Sequence, residues 1–288
     1  MFEHSGNFWR ASIKRCILVA VAVGCAAVAS GLVLVTAAST AAGTLPTLTL
    51  TLTKNTITVG GSEVSGAVNV VTTVKGEASD SPGLLALKPG VTVADFASVV
   101  AHLGKNTPLD AIDPYATIVF DGYATKAAPA TAQTVLEPGT YVAVNNANGF
   151  TSFTVAKASA PAVLPSPAAT VTAIDFGFRG ASTLRDGELV RFENSGYLIH
   201  MILFARIKSV ADAAKAEALL LQGKINLAGK LYVKGPKGEF AGPLSSGAAQ
   251  QEVITEPPGT YLILCAMNAQ DGRDHYQLGM FRTIRILK

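Results

Sequence analysis

Leucine and threonine alternate from Leu45 to Thr53, a period of two that predicts a half-buried strand. β character continues over Asn55–Val59, with a turn at Gly60-Gly61, and resumes over Val64–Val74. Ser79–Gly83 reads as a turn cluster and Leu84–Leu87 as a short strand. The period then changes. Val93, Phe96, Val99, Val100 and Leu103 recur at helical spacing behind a Thr92 cap, with Asp95 three residues on and Gly104-Lys105 at the end. Ile118–Phe120, Gln133–Leu136, Val142–Asn145 and Phe150–Val155 return to strand.

Lys157–Ala169 carries Pro161, Pro165 and Pro167 among Ala and Ser and reads as a linker. The plan then repeats. Val171–Phe178, Leu189–Asn194, His200–Ile207, Glu252–Thr255, Tyr261–Cys265 and Phe281–Leu287 are predicted strands. A helix capped by Ser209 runs to Leu221 and ends at Gly223-Lys224, and Lys230–Gly247 reads as a loop. Leu-Glu-Pro-Gly-Thr-Tyr-Val-Ala-Val-Asn145 matches Thr-Glu-Pro-Pro-Gly-Thr-Tyr-Leu-Ile-Leu-Cys265 with one extra proline. The pattern predicts an all-β chain: two copies of one β-sandwich, residues 45–156 and 170–288, each with one short inserted helix.

Residues 1–42 stand apart. Arg10, Lys14 and Arg15 precede an uncharged apolar run from Cys16 to about Ala38, which small residues close. Basic, then apolar, then small is the order of an export signal, and the run also has the length of a membrane anchor. Lipidation at Cys25 is a third option, though the residues that follow it are apolar. Each option places the remainder outside the cytoplasm, secreted or anchored at the membrane's outer face. The whole chain has 288 residues, 15% charged, and a net charge of +3, two of which belong to the leader. That balance gives no footprint for nucleic acid or an acidic polymer.

The leader also takes Cys16 and Cys25, so Cys265 is the lone thiol of the folded part and forms no internal disulfide. It is either a small core residue or a metal thiolate. His275 and Met280 follow it, nine and then four residues intervening, and His200 opens an earlier strand. Thiolate, imidazoles and thioether form a soft donor set that suits copper better than zinc. The other histidine outside the leader, His102, sits at a helix end and reads as surface charge.

Two segments carry a family resemblance: Gly187–Asn194 followed by His200, and Gly259–Cys265 followed by His275 and Gly279-Met280. They resemble the cupredoxins, the Greek-key β-sandwiches of the blue copper proteins. The resemblance implies one copper ion, with His200, Cys265 and His275 as equatorial ligands and Met280 as the weak axial one. The interval from Cys265 to His275 is longer than the few residues usual in that family. The first half, with Asn145 where the second has Cys265, resembles a copy without ligands. The implied role is electron transfer or copper handling with a redox partner protein, and no enzymatic activity. Membrane contact would come only through the leader. A zinc site with Met280 idle, a Cys265–His275 hydrolase and a metal-free binding or structural module are the other readings. The basic Lys230–Lys237 segment reads as a solvated loop or a docking patch for an acidic partner.

Overall fold

Strand β1 (Thr47–Leu52) buries Leu48, Leu50 and Leu52 and turns its threonines outward, as its alternation requires. The computed structural model to which it belongs describes residues 44–103, 107–145, 150–233 and 240–288. The leader, the Gly104-Lys105 helix end and residues 234–237 of the basic segment lie outside the described residues. Among the described residues no helix is long and apolar enough to cross a membrane.

The first half continues with β2 (Ile57–Gly61), β3 (Gly66–Val74), β4 (Ser79–Asp80), β5 (Pro82–Leu87), helix α1 (Val93–His102), β6 (Ala116–Asp121), β7 (Ala124–Thr125), β8 (Ala130–Leu136), β9 (Gly139–Asn145) and β10 (Phe150–Val155). The second half holds β11 (Ala169–Ile174), β12 (Gly177–Gly180), β13 (Thr183–Arg185), β14 (Leu189–Asn194), β15 (His200–Ile207), helix α2 (Val210–Leu221), the one-turn α3 (Ile225–Ala228), β16 (Phe240–Leu244), β17 (Ala249–Val253), β18 (Gly259–Leu264) and β19 (Phe281–Leu287). The chain is thus mostly β with few helices.

Both main helices start where a short polar cap precedes Val-Ala-Asp. Thr92 and Asp95 form a reciprocal capping box, and the Ser209 hydroxyl accepts from Asp212 N. Exposed His102 bonds Ser98 O at the end of α1.

The two halves carry the same strand order. β2-β1-β3-β8 of the first meets β17-β14-β11-β12 of the second in one continuous eight-stranded sheet, joined where β8 pairs with β17. Behind it lie β10-β9-β5-β6 and β13-β19-β18-β15-β16. Each half has its own core between its sheets: Leu50, Val70, Phe120 and Tyr141 in the first, Val190, Phe192, Phe204 and Tyr261 in the second. A third cluster is shared, and it joins Phe96, Leu109, Ile112 and Val142 to Met201, Leu203, Leu264 and Met280. The 157–169 segment is docked rather than free: Ala67 N donates to Ala162 O and Gln251 Nε2 to Pro165 O.

Several expectations need correction. Gly60-Gly61 is the end of β2, paired with Thr49 and Leu48. The Ser79–Gly83 turn cluster is strand, and Pro82 takes the first position of β5, where its missing N–H costs little. Val171–Phe178 is a hairpin that reverses at Asp175-Phe176, with Ile174 opposite Gly177. The Lys230–Gly247 loop contains β16, an edge strand that tolerates Pro243. The strand expected at Glu252–Thr255 lies earlier, at β17.

The halves also meet through polar groups. Ser245 N donates to Ile118 O, Ile118 N donates to Ser245 Oγ, and Ser245 Oγ donates to Asp113 Oδ1. Burial is the main cause that pushes the Asp113 carboxyl up to about 6; the Ser245 bond opposes it, Asp110 adds to it and Lys88 opposes it. A carboxyl raised in the fold stabilises fully below its unfolded value near 3.9 and loses that contribution as pH rises through about 6. Asp113→Asn keeps the acceptor and removes the charge. It should therefore melt about 2–4 °C higher than wild type at pH 7.5, a gain of about 1 kcal/mol after discounting for partial exposure, and nearly alike at pH 4. Thermal melts at the two pH values check this.

Candidate metal centre

The centre forms where β15 begins and β18 ends. Adjacent pairing of the two strands brings Leu203 opposite Leu264, so the start of one and the residue after the other share an end of the sheet. His200 and Cys265 occupy those positions, and both are buried. Met201 N points at Cys265 Sγ, 3.5 Å away.

His275 reaches the same place through a pinched excursion. Its backbone N donates to Met267 O at 2.7 Å, so the chain closes on itself at the base of residues 268–274. Ala269 N to Arg273 O and an Asn268–Asp274 bridge zip the excursion, and Gly272 turns it with φ +85°. Only Ala266 and Met267 then separate Cys265 from His275 along the closed path. The long interval in the sequence is a small hairpin added to a short ligand loop. Met280 ends the loop, fully buried, with its N donating to His275 O and its O accepting from Cys265 N.

Three of the four sequence-selected residues bring their donor atoms together, and Met280 is buried in the same apolar cluster as Cys265. Nδ1 of His200 lies 3.1 Å from Nδ1 of His275, and Cys265 Sγ lies 3.9 Å from the first and 3.4 Å from the second. Among the described residues this is the one His/Cys/Asp/Glu group whose donor atoms all converge, within 4.8 Å. Three points so spaced are each about 2.0 Å from one common centre in their plane, close to metal–nitrogen and metal–sulfur bond lengths.

The protonation pattern suits such a centre. Nε2 of His200 lies 3.0 Å from Asp175 Oδ1, so the proton sits on Nε2 and the Nδ1 lone pair faces the cluster. Burial pulls the His200 pKa down, against the pull of Asp175. Burial, then the nearby His200, takes His275 down to about 3. Both rings are neutral near pH 7. Burial pushes the Cys265 thiol up to about 12, opposed by backbone bonds from Met201 and Met267 and aided by Asp110 and Asp274. His275 Nε2 has no hydrogen-bond partner among the described residues, although an unpaired buried donor costs about 1–3 kcal/mol. Phe176 covers that ring edge-on, 5.4 Å between centroids, and does so from the left-handed region at φ 60°, where a bulky residue is strained.

The sequence reading missed Asp175. It sits on the hairpin turn after β11 and accepts from Tyr197 N and Leu198 N as well as from His200. Its pKa is held below the usual carboxylate range: burial works upward, and the bonds from Leu198, Tyr197 and His200 outweigh it. Gly196 makes the contact possible, since a Cβ there would lie 2.5 Å from Asp175 Oδ1 and 2.8 Å from His200 Nε2. An Asp followed two residues later by Gly is a turn signal inside the apparent strand, and it was available in the sequence.

Several solved structures align with part of the chain. Reduced auracyanin from Roseiflexus castenholzii aligns at 18% identity over 41% of this chain and 95% of its own, TM-score 0.26. Auracyanin A from Chloroflexus aurantiacus aligns at 17% over 41% and 95%, TM-score 0.26. An azurin from Methylomonas sp. strain J aligns at 15% over 41% and 96%, TM-score 0.25. No protein-family model matches the chain, and no curated protein matches it in sequence.

In the first half the position matched to Cys265 holds a hydrogen-bonded group instead. Asn145, at the buried end of β9, donates through Nδ2 to Asp80 Oδ2 at 2.7 Å and to Thr53 O at 3.1 Å.

Proposed function

We propose that this is an exported, non-enzymatic copper protein built from two tandem cupredoxin-like Greek-key sandwiches, of which the second binds one copper ion. His200 Nδ1, Cys265 Sγ and His275 Nδ1 are the equatorial donors and Met280 the weak axial one. The observation that carries the reading is the donor triangle, whose corners share one centre at bonding distance. The chemistry of the donors selects copper, because a thiolate, two imidazoles and a thioether form the soft set of electron-transfer sites. Bound there, copper supplies a one-electron couple. The residues hold the site rigid: β15, the end of β18 and the pinched loop carry all four residues, and Asp175 fixes the tautomer of His200. The first sandwich is a ligand-free copy. The role is electron transfer or copper handling outside the cytoplasm with a redox partner protein. Nucleic acid is not a partner, and the membrane is met only through the leader.

Titration of the purified protein with Cu(II) tests this. One equivalent should develop an intense thiolate-to-copper absorption, and Cys265→Ser should abolish it. Because the thiol is protonated near pH 7 and the imidazoles are neutral, about one proton should be released per copper bound. Absence of both the band and stoichiometric binding would establish the metal-free module instead.

A further inference from the structure

The loop entering His200 has an unusually complete hydrogen-bond account. Asn194 N donates to Ala248 O, Ser195 N to Ala173 O, Gly196 N to Asn194 Oδ1, and Tyr197 N and Leu198 N to Asp175. Asn194 Nδ2 closes the loop from inside by donating to Leu198 O and Leu244 O. All of these partners belong to the second half. The next donor, Ile199 N, directly precedes the ligand and has its partner elsewhere: Asp110 Oδ1 at 2.5 Å, eighty-nine residues earlier in the first half.

Asp110 is carried by the short 3-10 turn Leu109–Ile112, whose Leu109 and Ile112 are buried in the shared cluster with Ile199, Cys265 and Met280. That turn is fixed in place. Asp113 just beyond it is bonded by Ser245, whose backbone and hydroxyl also pair with Ile118. The ligand-free half thus presses one carboxylate onto the last free-standing amide before His200 and covers that side of the site with apolar side chains.

We propose that Asp110 is a positioning residue for the copper site, and that the first half serves as a fixed wall completing the ligand loop of the second. The proposal rests on the copper reading above and gives the ligand-free half a task that strand repetition alone does not. Asp110 acts through the Ile199 amide on the backbone position of His200. A carboxylate in this place also adds negative charge beside the site, so that charge and positioning must be separated by the test.

The test compares Asp110→Ala, which loses acceptor and charge, with Asp110→Asn, which keeps the acceptor. In the metal-free protein, amide exchange of Ile199 followed by NMR should quicken at least about ten-fold in Asp110→Ala and stay near wild type in Asp110→Asn, as expected for loss of one buried bond to a charged group. In the copper-loaded protein, release of copper to a chelator should quicken about ten-fold in Asp110→Ala and be rescued by Asp110→Asn. Wild-type exchange at Ile199 together with wild-type copper release in Asp110→Ala would overturn the proposal. So would equal loss in both variants, which would assign the effect to charge. If the wild-type protein takes up no copper, the functional reading fails, and with it the copper role of Asp110. The exchange experiment would still report whether Asp110 holds the loop. Melting curves of both variants guard against simple unfolding.

Discussion

In the Asp175→Ala protein, copper affinity is expected to fall about 10- to 100-fold, the usual cost of losing an outer partner of a ligating histidine. Three bonds vanish together: to His200 Nε2, to Tyr197 N and to Leu198 N. The first loss frees the tautomer of His200, so that Nδ1 carries the proton part of the time and then cannot bind a metal. The other two loosen the turn that delivers the ring. Asp175→Asn distinguishes these effects from charge. Its carbonyl can still accept from Nε2, so affinity should drop less than in the alanine variant. Removing a negative charge beside the site disfavours the more positive oxidation state, and the reduction potential should rise. Each ten-fold change in the preference for Cu(II) over Cu(I) is about 59 mV for a one-electron couple. Competition against a chelator and voltammetry read the two effects. Unchanged affinity in Asp175→Ala would show that the carboxylate does not orient the ligand.

The sequence made the strands legible where burial alternates. Leu48, Leu50 and Leu52 in β1 and Val190 and Phe192 in β14 stand at period two because each strand has one face on a core. The helix starts were legible because Thr92 and Ser209 satisfy backbone donors that any helix leaves open. What failed were glycine and proline positions. Pro82-Gly83 reads as part of a turn cluster and Gly242-Pro243 as part of a loop, yet both lie in strands, the one at a strand start and the other at a sheet edge. At the site, His200, Cys265, His275 and Met280 could be selected by residue type. Asp175 offered only a turn signal and Asp110 none, since the value of both lies in contacts across 25 and 89 residues, which no local period encodes. The pinch at Met267 and His275 was also hidden: nine intervening residues say nothing of where the backbone closes.

The join between the halves should fail first when a methyl group is added at Gly242. A Cβ there would sit 1.9 Å from Asp121 Oδ1 and 2.4 Å from Asp121 Cβ and Cγ. Asp121 is fully buried, and its backbone N donates to Gln250 Oε1 of β17, so neither group has room to withdraw. Overpacking of this kind costs about 1–3 kcal/mol, and a collision with the root of a fully buried side chain belongs at the upper end. Gly242→Ala should therefore lower the melting temperature by about 5 °C or more. Because β16 also pairs with the first residue of β15, Leu244 opposite His200, the same shift should quicken copper release. Gly76→Ala is the control. Its φ of +88° strains an alanine, but nothing lies within 4 Å, so it should lose only about 1 kcal/mol and leave copper release unchanged. Equal melting of Gly242→Ala and wild type would mean that β6 and β16 do not meet this closely in solution, and the wall that the first half offers to the ligand loop would lose its footing.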